Sequence, residues 1–182
     1  METKAAGLIN WDKIVPFFIV LLCAILEPRL ITIIMVKANV PASDLFGFLT
    51  YLMIGCWIIA IWFLLALIPF LFSQLYDAEG KFKVLLYRTG YGFLPMLIGL
   101  AISFFLADKL SLPENSDLNI IQKDTTIRLI ANISMISMSL SLPWVVYCLH
   151  QGNKISWLRS FICVGVPFGI MYLLSNLIAT LI

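Results

Sequence analysis

Long apolar runs separated by short polar clusters set the pattern of this chain. Five runs reach or exceed the length of a membrane crossing, at about 14–36, 45–74, 86–107, 128–149 and 159–181. A helix needs about 20 mostly apolar residues, because ~30 Å of hydrocarbon is crossed at ~1.5 Å per residue. The pattern therefore predicts five transmembrane helices, the second long enough that it must tilt or protrude. Strands are not expected, because the runs lack the in-out alternation of a barrel and open sheet edges cannot sit in lipid. No internal repeat appears, and five spans cannot divide into two equal inverted halves, which argues against the inverted-repeat transporter plan.

Composition narrows the class to one. Hydrophobic residues make up 62% of the 182, charged residues 12%, and mean hydropathy is +1.01. A soluble domain is about 45–50% apolar and about 25% charged, so this chain has too few charges to cover a wet surface. The expectation is an all-α polytopic integral membrane protein, residues 1–182 forming one bundle. A net charge of +2 is too small to point to nucleic acid. Cys23, Cys56, Cys148 and Cys163 each stand alone in an apolar run, so they are expected in the core or facing lipid rather than in disulfides. Leu22 is too large for a lipoprotein cleavage site before Cys23, and no small-x-small site follows the first run, so no cleaved signal is expected.

Basic residues set the expected orientation. Lys4, Lys13, Lys81, Lys83, Arg88, Lys154 and Arg159 fall on the N-terminal side; Lys37, Lys109, Lys123 and Arg128 fall on the other. The longest loop, about 108–127, adds Asp108, Glu114, Asp117 and Asp124 to that second side. The N-terminus is expected in the cytoplasm and the C-terminus outside, in a multi-pass protein of the plasma membrane (a bacterial inner membrane). Trp11, Tyr76 and Trp157 stand at span ends, where amphipathic rings prefer the headgroup level.

Polar groups inside the runs are the candidates for chemistry. Glu27-Pro28-Arg29 lies deep in the first span, where an ionised side chain costs ~2.5–3.5 kcal/mol even on the lenient insertion scale. Glu27 is expected to be buried against other helices and satisfied by Arg29, a backbone group or an asparagine. Side chains two apart do not face each other on a regular helix, although Pro28 can kink it and free carbonyls. The triplet reads as a polar or proton-sensitive pocket, or as a structural ion pair at a helix break.

Small residues form a second pattern. Gly165 and Gly169 make a G-x-x-x-G in the fifth span; Gly92, Gly99 and Ser103 share a face of the third; Ser134, Ser137 and Ser141 share a face of the fourth. Such stripes let helix backbones approach closely, within one chain or between chains. Pro69, Pro95, Pro143 and Pro167 predict kinked spans, and Asn132 and Asn176 could hydrogen-bond between helices.

Enzymatic signatures are missing. His150 is the lone histidine, too few for a catalytic zinc site, and there is no H-E-x-x-H, P-loop or G-x-S-x-G. No cofactor, metal or catalytic residue is expected.

Gly80-Lys-Phe-Lys83 followed by Tyr91-Gly-Phe-Leu-Pro95 resembles the Yip family, the Ypt-interacting five-span membrane proteins and their bacterial relatives. Trp144-Val-Val-Tyr147, Leu149, Gly152 and Lys154 look like that family's fourth loop, and the likeness extends loosely over about 45–181. The resemblance implies a five-helix bundle with a cytosolic N-terminus and a non-enzymatic role. Eukaryotic members serve small GTPases and vesicle traffic through a long N-terminal region. The tail here is about ten residues, so GTPase binding is not expected. The compact bacterial branch, some of it associated with export transporters and envelope stress, is the nearer likeness. The expected function is a membrane scaffold or accessory subunit whose partner is another membrane protein or a second copy. The alternative is a small permease or proton-linked carrier using Glu27 and Arg29.

Overall fold

The computed structural model describes residues 11–38, 44–111 and 123–181, without the side chains of 11, 12, 44–46, 171, 172 and 175–181. Lys4, Glu114, Asp117 and the side chain of Asn176 lie outside that description. The described residues are mostly helical, with seven α-helices: α1 (Trp11–Lys37), α2 (Asp44–Gln74), α3 (Phe82–Gly90), α4 (Leu94–Asp108), α5 (Thr125–Ser139), α6 (Ser141–Asn153) and α7 (Trp157–Leu181). Four stretches are long and apolar enough to cross a membrane: Lys13–Lys37, Gly47–Gln74, Phe82–Asp108 and Thr125–Asn153. Large apolar side chains are exposed around the bundle, among them Met53, Trp57, Phe105, Leu158 and Phe161. Water would not tolerate so broad an apolar surface, so this is the outside of a membrane protein.

Two of the stretches are broken, each at a proline. Tyr91–Phe93 form a 3₁₀ turn between α3 and α4, with Pro95 in the first turn of α4. A turn at Leu140 separates α5 from α6, with Pro143 just beyond it. Proline lacks the N–H that would bond the carbonyl four residues back, so the helix loosens on its N-terminal side. Pro69 and Pro167, in contrast, sit inside continuous helices. The expected third and fourth spans are thus each two helices joined by a turn.

The two breaks face each other. Ser141 Oγ donates to the carbonyl of Gly92 at 2.7 Å, in a buried position, and Trp144 Nε1 donates to the carbonyl of Arg88 at 2.8 Å. These side chains satisfy backbone groups that the hydrocarbon could not.

Helix directions follow from the cross-links. Cys23 and Phe93 meet, and Lys37 Nζ donates to the carbonyl of Asp108 at 2.6 Å, so α1 and α4 run parallel. Phe17 packs on Trp62 and Tyr51 bonds the carbonyl of Ile25, so α2 runs back against α1. One apolar core lies between α1, α2 and α4; a second joins α3, α6 and α7; Leu142 and Phe168 touch both. Lys154 Nζ bonds Glu79 Oε2 at 3.0 Å, tying the α2–α3 turn to the α6–α7 turn at one end of the bundle. Lys37, Lys109 and Arg128 belong to the other end.

Candidate functional site

Three places carry features that apolar packing alone does not explain. The first is the triplet in α1. The helix runs unbroken through Pro28, so no helix end lies there. Glu27 stands ten residues before Lys37 and fourteen after Lys13, about 15 and 21 Å along the axis, well inside the hydrocarbon. Pro28 is buried, Glu27 is half-buried and Arg29 is exposed. Ala24 is the residue whose carbonyl Pro28 leaves without its helical donor. Gly55 of α2 presses on that carbonyl, so that a Cβ there would lie 3.0 Å from the oxygen.

The expected partner of Glu27 is not found. Glu27 Oε2 is enclosed and has no hydrogen-bond partner among the described residues, and the ion pair recorded among them is Lys154–Glu79. Arg29 points outward because it lies 200° around the helix from Glu27, and the intact helix does not bring the two together. Asn132 is also exposed and outward.

The second place is the set of small-residue stripes, which the structure divides. Gly99 meets Ser137 and Ile133, so close that a Cβ would collide with the Ser137 hydroxyl and lie 3.0 Å from Ser137 Cβ. Gly92 sits in the 3₁₀ turn and packs on Ser141 and Trp144 instead. Ser103 is fully buried with an unpartnered Oγ, and Ser134 is half-buried. The stripes of the third and fourth stretches are therefore spent on each other. Gly165 and Gly169 are not: among the described residues a Cβ on Gly169 would meet nothing within 4 Å, and one on Gly165 only the Phe161 ring. Both open onto an apolar groove of about 690 Å³ between α5, α6 and α7, walled by Leu142, Val146, Phe161 and Phe168.

The third place lies on the opposite flank of α6 and was not singled out as a site from sequence. Arg88, Tyr91, Trp144, Tyr147 and Gln151 line a recess of about 320 Å³ with mixed polar and apolar walls. The same three aromatic residues also line an apolar cleft of about 550 Å³ that continues past Gly92, Pro95, Leu140 and Pro143. The spacing of Trp144, Tyr147 and Gln151 (i, i+3, i+7) was the available signal; only the fold shows that α3 brings Arg88 beside it.

His150 has a structural place. Its Nδ1 lies 2.7 Å from the carbonyl of Ile155, and its ring stacks on Trp157 at 4.3 Å. No trio of His, Cys, Asp or Glu comes together among the described residues to hold a metal. Comparison with protein-family models, curated proteins and solved structures finds no match to this chain.

Proposed function

We propose that this chain is a non-enzymatic, five-span protein of the plasma membrane that acts as a scaffold or accessory subunit, in the manner of the compact Yip-type proteins. The observation that carries this reading is the Gly165–Gly169 face. In a bilayer, helices associate by close packing, and glycines used for that purpose touch a neighbour. Gly99 and Gly92 already do; a Cβ on Gly169 would meet no described residue within 4 Å, and Gly169 borders a groove about 690 Å³ in volume. A helix of another membrane protein, or of a second copy, is the partner such a face fits.

Five spans are supported by α7, whose 25 residues would reach about 37 Å. A cytoplasmic N-terminus is supported by the end of the bundle that collects Lys13, Lys81, Lys83, Arg88, Lys154 and Arg159. The test uses a photo-crosslinking residue at position 169 in the full chain in native membranes. A stoichiometric crosslink to one membrane partner is expected at 169 and not at the outward Ile98. A protein that crosslinks to lipid alone and purifies as a monomer from mild detergent would overturn the proposal.

A second reading, a small proton-linked carrier, is favoured by one observation: Glu27 Oε2, enclosed and unpartnered in the middle of α1. Buried ionisable groups in membranes commonly mark proton or substrate paths. Uptake into vesicles that depends on Glu27 would select this reading over the first.

A further inference from the structure

We infer that the recess at Arg88 and the cleft that continues from it form one binding site for an anionic phospholipid. The headgroup phosphate lies at Arg88 and an acyl chain lies along the cleft beside Pro95, Leu140 and Pro143. The two share Tyr91, Trp144 and Tyr147, so the polar recess and the apolar cleft adjoin at these rings. Volumes of about 320 and 550 Å³ each fall in the ~300–1,000 Å³ range of sites that hold small ligands. A ligand that fits must be charged at one end and apolar along the other.

The sign of that charge is set by the lining. Arg88 is exposed, no carboxylate lines the recess, and Arg88 makes no ion pair among the described residues. Gln151 supplies an amide donor beside it. A guanidinium offers a planar fork of donors matched to phosphate oxygens. The wider field agrees, because Lys81 and Lys83 are exposed on the same end of the bundle, while Glu79 is occupied by Lys154. Anionic lipids gather at such basic clusters.

Depth fits as well. Gln151 is two residues from the end of α6, and Tyr147 is one turn deeper, within reach of the headgroup layer that Trp and Tyr prefer. Both helix breaks lie on the cleft: Gly92 of the 3₁₀ turn and Leu140 of the second turn are among its walls. The site lies at the headgroup level whichever side of the membrane that end faces, and it does not depend on the proposed partner at Gly169.

Native mass spectrometry of the full chain, released from nanodiscs holding equal phosphatidylglycerol and phosphatidylcholine, tests this. One phosphatidylglycerol should be retained with a preference on the order of tenfold, the scale of a charge-assisted contact. Arg88→Gln should abolish the preference and Arg88→Lys should keep part of it. Lys109→Gln, exposed at the opposite end of the bundle, should leave it unchanged. Leu140→Trp, which fills the cleft, should lower retention of the lipid. Arg88 holds Trp144 through its backbone carbonyl, so its side-chain variants keep the junction; Leu140→Trp tests the same site without touching Arg88. Equal retention of the two lipids overturns the proposal, as does a preference that survives Arg88→Gln or a retention that Leu140→Trp leaves undiminished. Displacement of the lipid by millimolar inorganic phosphate would also overturn it, by showing a site that reads phosphate alone.

Discussion

The side-chain amide of Asn153 donates to Ser73 Oγ at 2.8 Å, joining the end of α6 to the end of α2 across 80 positions of sequence. Both residues are buried, and Ser73 Oγ donates onward to the carbonyl of Phe70 at 2.7 Å. Gly80 closes over this junction, so near that a Cβ would clash with the Asn153 side chain and lie 2.8 Å from Asn153 Cα. Backbone cannot yield as a side chain can. Gly80→Ala should therefore destabilise the protein by about 1–3 kcal/mol, as overpacked sites do. Asn153→Ala should cost about 1 kcal/mol for the lost hydrogen bond. The double variant should remain destabilised, because the contact with Cα persists. Denaturation in mixed micelles reads all three, and a neutral Gly80→Ala would refute the junction.

Two glycines of similar appearance should respond oppositely to added volume. Gly99→Ala drives a methyl into Ser137 and should cost about 1–3 kcal/mol. Adding Ser137→Ala should recover part of that loss by removing the hydroxyl. Gly169→Leu should leave stability within about 0.5 kcal/mol, since its surroundings are open. It should nevertheless abolish the crosslink or co-purification of the proposed partner. Loss of fold in Gly169→Leu would show that the face is already filled.

Glu27 and Arg29 should behave as independent positions. Arg29→Leu should be near neutral, because the side chain is exposed and makes no ion pair with Glu27. Glu27→Leu should be neutral or stabilising, because it removes an enclosed polar atom without a partner. A double-mutant cycle should then give coupling below about 0.5 kcal/mol. Coupling of several kcal/mol would mean that the two side chains meet.

Lys154 closes α6 in the left-handed region, at φ 54° and ψ 30°. A non-glycine residue there is disfavoured by about 1–2 kcal/mol. Lys154→Gly should stabilise the protein by about 0.5–1 kcal/mol despite losing Glu79, because that ion pair is exposed and exposed pairs contribute little. Lys154→Ala should give no such gain. Thermal unfolding in detergent separates the two.

Topology is checked with single cysteines at Lys81 and Lys109, the native Cys23, Cys56, Cys148 and Cys163 being replaced. An impermeant thiol reagent applied to intact cells should label position 109 and spare position 81. The reverse labelling would invert the proposed orientation.

Much of this protein is written in its local pattern. Lipid offers backbone groups no partners and a helix bonds nearly all of its own, so a long apolar run has few alternatives. Hence α2 and α7 match the expected runs to within a few residues. Pro95 and Pro143 likewise announced distortion, since the missing N–H is a property of the residue itself. Sequence could not say that Pro69 and Pro167 would stay within continuous helices while Pro95 and Pro143 stand at breaks.

Tertiary structure decided which stripes meet and which stay open. Gly99 and Gly165 look alike in sequence, yet one is pressed on Ser137 and the other faces a groove, because α4 packs on α5 while no described residue fills that face of α7. Glu27 and Arg29 invited a pairing that the intact helix through Pro28 forbids by geometry. The recess at Arg88 exists only because α3 and α6, more than 50 residues apart in sequence, are held together at their proline breaks. Helix formation in lipid is a local necessity. The contacts between helices depend on shape and direction in space, which no single stretch of sequence carries.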